Sequence, residues 1–222
     1  MTITLILIVC ILALFLGWVL SQTINVEPWV ASTPGASTAD RLPALFTAPR
    51  IGLMVFLAAV SSLFALTVSV YHMRMGIGND WSAVPVPSLM WFNTVILFAG
   101  SAALHWAWRA ASRGHGRFLK LGLTIGGACT IAFVIGQYLV WQELYAGGYY
   151  LTTNPANSFF YMVTALHAVH LIGGLAVWGI TTTKVWRGAN TQKVQTSVEL
   201  CTLYWHYLLV LWLVLFGLLL FT

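Results

Sequence analysis

Six long apolar runs divide the chain, and shorter segments rich in polar residues, glycine or proline separate them. A helix needs about 20 mostly apolar residues to cross roughly 30 Å of hydrocarbon, and each run approaches or exceeds that length. The pattern therefore predicts six transmembrane helices, at residues 3–20, 50–72, 88–109, 121–145, 158–183 and 198–221.

The first run, residues 3–20, could be either a cleaved signal peptide or a retained helix. It has no positively charged start, and its apolar core is longer than that of a signal peptide. We therefore favour a retained N-terminal transmembrane helix, assigned to residues 1–20. Residues 21–49 contain STPGASTAD and predict an irregular cytoplasmic connector. The third predicted domain, residues 50–222, holds the remaining five helices.

Basic residues are distributed unevenly between the two sets of alternating loops. One set and its flanking helix ends carry nine Lys or Arg residues, whereas the other set carries only Arg74. Since cytoplasmic loops of membrane proteins hold the excess of Lys and Arg, the nine predict the cytoplasmic side, and both termini then face the periplasm. The nine are Arg41, Arg50, Arg109, Arg113, Arg117, Lys120, Lys184, Arg187 and Lys193.

The composition agrees with a membrane protein. The chain is 59% hydrophobic and only 7% charged, whereas soluble domains carry roughly 25% charged residues. No basic face with interleaved aromatic residues is present, which argues against nucleic-acid binding. Cys10, Cys129 and Cys201 lie far apart inside apolar runs, so their spacing predicts neither a disulfide framework nor a metal site.

Three histidines are the first candidates for chemistry. His167 and His170 share one face of the fifth predicted helix, and His206 of the sixth could lie at a similar depth. Histidines on facing helices could bind a b-type haem, or they could hydrogen-bond between helices. Aromatic residues flank His206 and would crowd a macrocycle, and a copper or zinc site would need a third ligand. We therefore favour hydrogen bonds between helices.

The acidic residues lie away from the membrane centre. Glu27, Asp40 and Asp80 fall in loops, Glu143 near the end of a helix, and Glu199 at the start of the last predicted helix, where the helix dipole favours a carboxylate. Proton pumps and ion-coupled transporters normally need a mid-membrane acid. The sequence thus predicts no catalytic, cofactor-binding or metal-ligating residue, and instead a subunit that works with partners.

Five stretches, in order, resemble motifs of cytochrome c oxidase subunit III. The family's T-x-x-H-x-x-H segment is similar to NSFFYMVTALHAVHLIGGL, and its last helix is similar to SVELCTLYWHYLLVLWLVLF. Its G-x-x-x-F-L, N-T-x-x-L and G-Q-x-x-x-W-x-E-L segments resemble parts of RIGLMVFLAAVSSLFA, VPVPSLMWFNTVILFAG and GQYLVWQEL. The resemblance runs from Arg50 to Thr222.

The resemblance implies the non-catalytic subunit III of a haem–copper terminal oxidase in aerobic respiration, of the cytochrome c or quinol type. The fold it implies is an all-α membrane bundle of six helices, the last five similar to the C-terminal five of the family. The protein would pack beside oxidase subunits I and II in the inner membrane, bind phospholipid, and leave haem and copper to those partners. His167, His170, His206 and Glu199 carry over as structural contacts between helices.

Two further features belong to this interpretation. Acidic residues of the family pattern fall at Val60, Val140 and Leu209, so the chain is a divergent member that lacks these carboxyl groups. Two alternative functions stay open from the sequence: an accessory subunit of nitric oxide reductase, and an independent b-type haem membrane cytochrome.

Overall fold

The computed structural model describes residues 48–77, 80–188 and 191–221. Five α-helices lie within these ranges: α1 (Ala48–Met75), α2 (Ser88–Ser112), α3 (Gly116–Ala146), α4 (Pro155–Trp186) and α5 (Thr191–Phe221). Each is long and apolar enough to cross a membrane. They are the last five predicted helices, and they confirm the all-α membrane class. The predicted helix at 3–20 and nearly all of the connector at 21–49 lie outside the described residues.

The observed helices extend beyond the predicted apolar runs. Helix α5 begins at Thr191 rather than residue 198, and α3 begins at Gly116 rather than residue 121. Helical hydrogen bonds join backbone groups, so a helix continues past the hydrocarbon wherever side chains permit it. Helix α1 begins at Ala48 and includes Pro49 in its first turn, where a missing N–H costs nothing.

Helices α2 to α5 form a four-helix bundle. Helix α2 packs against α3 and α5, and α4 packs against the same two helices. Helix α1 lies outside this bundle and packs mainly on α4 and α5. Only 11% of the apolar stretch of α1 is buried, compared with 39% to 44% in the other four. The core therefore belongs to α2–α5, and α1 adds one side of a cleft.

Small residues bring α2 and α3 close together. A Cβ atom added at Gly122 would lie 2.8 Å from Cβ of Ala107 and 2.9 Å from the carbonyl oxygen of Ala103. Glycines at such positions let two membrane helices approach closely, as the sequence predicts for the GLTIGG segment. The two helices are joined by a short turn in which Gly114 has φ +74°, a conformation that favours glycine.

The loops before α2 and before α4 meet at the start of α4. The Asn154 side chain accepts a hydrogen bond of 3.0 Å from the backbone N–H of Ala156, and Pro155 follows it in the first helical turn. The same side chain donates to the carbonyl oxygen of Ser82 at 2.6 Å. One asparagine thus begins α4 and anchors the segment that leads into α2.

Candidate functional site: a buried polar layer and a membrane-facing cleft

Polar side chains from three helices meet inside the four-helix bundle. Asn93 of α2, Gln137 of α3 and His167 of α4 are 1%, 2% and 0% exposed. The Asn93 amide lies on the bare backbone of Gly136, where an added Cβ would come 2.1 Å from its Oδ1 atom. Because Gly136 precedes Gln137, Asn93 and Gln137 lie at the same level of the bundle. We call Asn93, Gln137 and His167 the polar layer.

Contacts between α3 and α4 place His167 beside the helical turn that runs from Phe133 to Gln137. The His167 ring lies 5.9 Å from the ring of Phe133, which is one helical turn before Gln137. One turn after Gln137, the indole N–H of Trp141 donates to Oγ1 of Thr164 at 3.1 Å. Thr164 lies one turn before His167 on α4. The contact of Phe133 with His167 and the contact of Trp141 with Thr164 therefore lie on either side of Gln137 along α3.

Trp212 of α5 closes the layer on its fourth side. Its ring lies 5.2 Å from that of His167 and 4.9 Å from that of Phe133. Its indole N–H donates to Oγ1 of Thr94, the residue after Asn93, at 3.0 Å. All four helices of the bundle therefore contribute to this level, through residues of the motifs that carry the family resemblance.

The sequence predicts that His167 hydrogen-bonds to a neighbouring helix, but the structure places its ring between aromatic rings. Neither ring nitrogen has a hydrogen-bond partner among the described residues. The nearby hydroxyl of Thr164 is already used, because it donates to the carbonyl oxygen of Phe160 at 2.7 Å and accepts from Trp141. The hydroxyl of Thr94 likewise donates to the carbonyl oxygen of Met90 and accepts from the indole of Trp212.

His206 joins α5 to α2. Its Nδ1 atom lies 2.5 Å from Oγ of Ser101, and its Nε2 atom lies 3.4 Å from Nδ1 of His105. The rings of His206 and His105 have centroids 5.5 Å apart. His206 therefore makes polar contacts between helices, towards α2.

His170 faces a different helix. Its Nδ1 atom contacts the carbonyl oxygen of Leu166 on its own helix at 2.7 Å, rather than the neighbouring helix predicted from the sequence. Its ring lies 5.5 Å from that of Phe64 and 6.4 Å from that of Phe56, both on α1. Because His170 faces α1 and His206 faces α2, the two do not face each other as a haem between them would require.

Glu199 forms an ion pair with Arg50. One guanidinium nitrogen of Arg50 lies 2.9 Å from each carboxylate oxygen, and the two side chains are 20% and 35% exposed. Glu199 does not lie at the start of α5 as predicted, because α5 begins at Thr191 and the dipole effect fades within the first turn. The carboxylate instead connects α5 to the start of α1.

Hydrogen bonds from tryptophan indoles, which the sequence predictions do not include, also join helices. Besides Trp141 and Trp212, the indole of Trp205 donates to Oγ1 of Thr130 at 2.8 Å, and the indole of Trp178 donates to the carbonyl oxygen of Leu123 at 3.0 Å. A tryptophan inside an apolar run carries an N–H that needs an acceptor in lipid. A tryptophan inside an apolar run is therefore the feature of the sequence that could have indicated these hydrogen bonds.

A cleft of about 670 Å³ opens between α1, α4 and α5. Its walls are mostly apolar, with His170 and Tyr204 along them and Lys184 in the last turn of α4. A Cβ added at Gly173 would meet nothing within 4 Å, so one wall is bare helix backbone. The cleft can accommodate an elongated apolar molecule whose charged end is near Lys184.

At the C-terminal end of α1, Arg74 pairs with Asp80 at 2.5 Å. The Arg74 guanidinium holds the pKa of the Asp80 carboxyl below its ordinary value, because it hydrogen-bonds to the charged form. This contact is therefore retained above the ordinary carboxyl pKa and lost as the pH falls through the lowered one.

The bundle interior offers little acid–base chemistry. Val60, Val140 and Leu209, where the family pattern has acids, are 3%, 0% and 8% exposed, so each is a buried apolar residue, Val60 on α1 and the other two within the bundle. In the described part of the chain, His, Cys, Asp and Glu form no group of three or more that could hold a metal ion. The described side chains can hold helices together and can bind neutral polar or apolar molecules.

These features define a multi-span helical membrane protein whose interior side chains mainly join helices. The family model for cytochrome c oxidase subunit III matches residues 4–221. The chain belongs to this family, which confirms the family predicted from the five motifs. The match also includes residues 4–49, which the motif resemblance did not reach.

Curated relatives carry the same family name. The chain is 31% identical over 181 residues to cytochrome c oxidase subunit 3 of Thermostichus vulcanus, across 76% of this chain and 85% of the relative. It is 30% identical over 173 residues to the same subunit of a Synechocystis strain, across 74% and 72%. The Yarrowia lipolytica protein of that name is 28% identical over 179 residues, across 75% and 65%.

Proposed function

We propose that this chain is the non-catalytic subunit III of a haem–copper terminal oxidase in aerobic respiratory electron transport. The observation that carries the proposal is the family match over residues 4–221. Membership of the family makes the chain part of an oxidase complex. Neither the nitric oxide reductase alternative nor the independent cytochrome alternative is favoured by the relatives, which carry the name of the oxidase subunit.

The finer assignments are also part of this proposal. The partners are oxidase subunits I and II, the location is the inner membrane with both termini periplasmic, and haem and copper reside in the partners. Support for a scaffold role comes from the apolar residues at Val60, Val140 and Leu209, because these helices supply no buried carboxyl group there. Proton uptake then depends on the neighbouring subunits.

Affinity purification of the tagged full chain in mild detergent tests the complex. Mass spectrometry should identify subunits I and II among the co-purifying proteins, and a reduced-minus-oxidised spectrum should show haem that is lost when those subunits are removed. Recovery of nitric oxide reductase chains, or haem retained by the isolated chain and lost on His170→Ala, would contradict the proposal.

We further propose that the cleft between α1, α4 and α5 binds the acyl chains of a phospholipid. Apolar walls suit hydrocarbon, the bare backbone at Gly173 leaves room beside α4, and the ammonium of Lys184 is positioned to attract an anionic headgroup at the cytoplasmic interface. The lipid would fill the space between α1 and the bundle and support α1, which buries little surface of its own.

Native mass spectrometry of the purified complex tests the cleft. The substitution Gly173→Leu should reduce the number of retained lipids, because the new side chain enters the cleft. Gly179→Leu is the matched control, since it adds the same side chain to the same helix at an open position that does not line the cleft. Equal lipid retention by both variants would overturn the lipid assignment without affecting the assignment as subunit III.

A further inference from the structure

We propose that the polar layer formed by Asn93, Gln137 and His167 is a binding site for water inside the bundle. All six polar side-chain atoms of these residues lack a hydrogen-bond partner among the described residues. The three residues are 1%, 2% and 0% exposed, so bulk water does not reach them. Buried polar groups in proteins are nearly always paired, either with protein or with ordered water.

The three side chains share one small region. Asn93 lies on Gly136, beside Gln137, and the contacts of Trp141 with Thr164 and of Phe133 with His167 bring α3 and α4 together at this level. A single group of water molecules can therefore reach side chains of three helices.

The neighbouring threonines and aromatic rings do not supply hydrogen-bond partners for the unpaired atoms of the polar layer. The hydroxyls of Thr94 and Thr164 each accept from an indole and donate to a carbonyl of their own helix. The neighbouring rings of Phe133 and Trp212 enclose His167 and offer no oxygen. The unpaired atoms must then contact one another after a rearrangement or contact a small molecule.

The chemistry of the donors and acceptors favours water over an ion. Each of the two amides has an oxygen that accepts and an NH₂ group that donates, and a neutral imidazole has one nitrogen of each kind. A cation would find too few oxygens, and an anion would meet the amide oxygens as well as the N–H groups. Water both donates and accepts, and a buried water typically makes about three hydrogen bonds to groups of this kind.

Hydroxyl-radical labelling by X-ray radiolysis in H₂¹⁸O tests the proposal, because radicals formed from a bound water react with the side chains beside it. The sample is the full chain in its native complex. We expect ¹⁸O incorporation at Trp212 and Phe133 despite their burial. Trp205 is the matched control, since it is 1% exposed and its indole is likewise paired with a threonine.

Equal, background labelling of Trp212 and Trp205 would overturn the proposal and would indicate that the side chains pair directly. This comparison uses the unaltered protein, so it does not depend on the folding of a variant.

A substitution gives an independent check. Gln137→Leu should lower the thermal midpoint of the complex and reduce the labelling of Trp212, because it removes groups that hold the water. The control is Gln142→Leu on the exposed side of the same helix. If Gln137→Leu raises the midpoint and leaves the labelling of Trp212 unchanged, no water is bound by the layer, since removing an unpaired buried amide should itself be stabilising.

Discussion

Single polar side chains connect the helices at defined positions, and several of these connections are hydrogen bonds to threonine or serine. Trp212 and Thr94 join α5 to α2, and Trp141 and Thr164 join α3 to α4. In the hydrocarbon region a polar group cannot exchange its protein partner for water. Such contacts therefore determine which faces of two helices pack together. The strength of each contact is modest, and its position matters more than its energy.

The pair Arg50 and Glu199 allows a double-mutant cycle. Removing either charge should loosen α1 from α5, and removing both should cost less than the sum of the single changes. Because both side chains are partly exposed, solvent screening limits the coupling to about 0.2–1 kcal/mol. Denaturant unfolding in detergent micelles measures it. Strictly additive effects would show that the pair contributes nothing to stability.

His206 provides a second prediction. His206→Phe should remove the contacts with Ser101 and His105 and destabilise the packing of α5 on α2 by about 0.6–2 kcal/mol. Unfolding in mixed micelles measures the change, and initial oxygen turnover of the assembled complex should stay normal. The control His115→Phe lies in the exposed α2–α3 turn and should have little effect. Equal stability of the two variants would contradict the prediction.

At this scale the partner of a polar side chain is harder to predict from the sequence than its position along the helix. His206 and Glu199 were predicted to join helices, and both contact another helix. The partners of His167 and His170 could not be predicted, because they depend on helix rotation, which a uniformly apolar run does not specify. Each of the five described helices is apolar along a membrane-spanning stretch, so hydropathy alone does not mark the face that it buries.

At the scale of elements, the closest packing is between α2 and α3. Gly100 and Gly126 face one another's helices, and an added Cβ at Gly100 would lie 3.0 Å from Cβ of Cys129. The helix pattern itself was predictable, since runs of about 20 apolar residues have few alternatives. The helix ends were not predictable, because the mostly polar residues 191–197, which precede the apolar run of α5, are also helical.

Substitution of one glycine tests the close approach. Gly122→Ala should destabilise the bundle by about 1–3 kcal/mol, because its Cβ would meet Cβ of Ala107 and the backbone oxygen of Ala103. The control Gly217→Ala meets nothing within 4 Å and should be neutral or slightly stabilising. Thermal unfolding of the purified complex compares the two. A neutral Gly122→Ala would show that α2 and α3 can separate without cost.

At the scale of the whole molecule, basic residues gather at one end of the described bundle. Arg50 meets Glu199 there, and the Lys120 ammonium lies 5.2 Å from the centroid of the Trp186 ring. The opposite end carries aromatic residues, where the Tyr161 hydroxyl donates to the carbonyl oxygen of Tyr149 at 2.9 Å. This asymmetry is the basis of the proposed orientation, with the basic end in the cytoplasm.

Cysteine labelling tests that orientation. Thr152→Cys, in the exposed loop before α4, should react with a membrane-impermeant maleimide applied to spheroplasts. Ser112→Cys, at the exposed end of α2, should react only after the membrane is permeabilised. The unmodified protein, which contains Cys10, Cys129 and Cys201, gives the background. The reverse pattern would place the basic end in the periplasm.

The tight hairpin of α2 and α3 also bears on how the bundle assembles. Its facing residues are near in sequence, as with Gly100 and Cys129, whereas the bonds from α2 to α5 join residues 98 to 118 positions apart. Contacts between distant residues require closure of a long loop first and therefore form more slowly. The hairpin is thus the part of the bundle that can pack while later helices are still being synthesised. Until α4 and α5 arrive, Asn93 and Gln137 are among the polar residues that this early intermediate must protect from lipid.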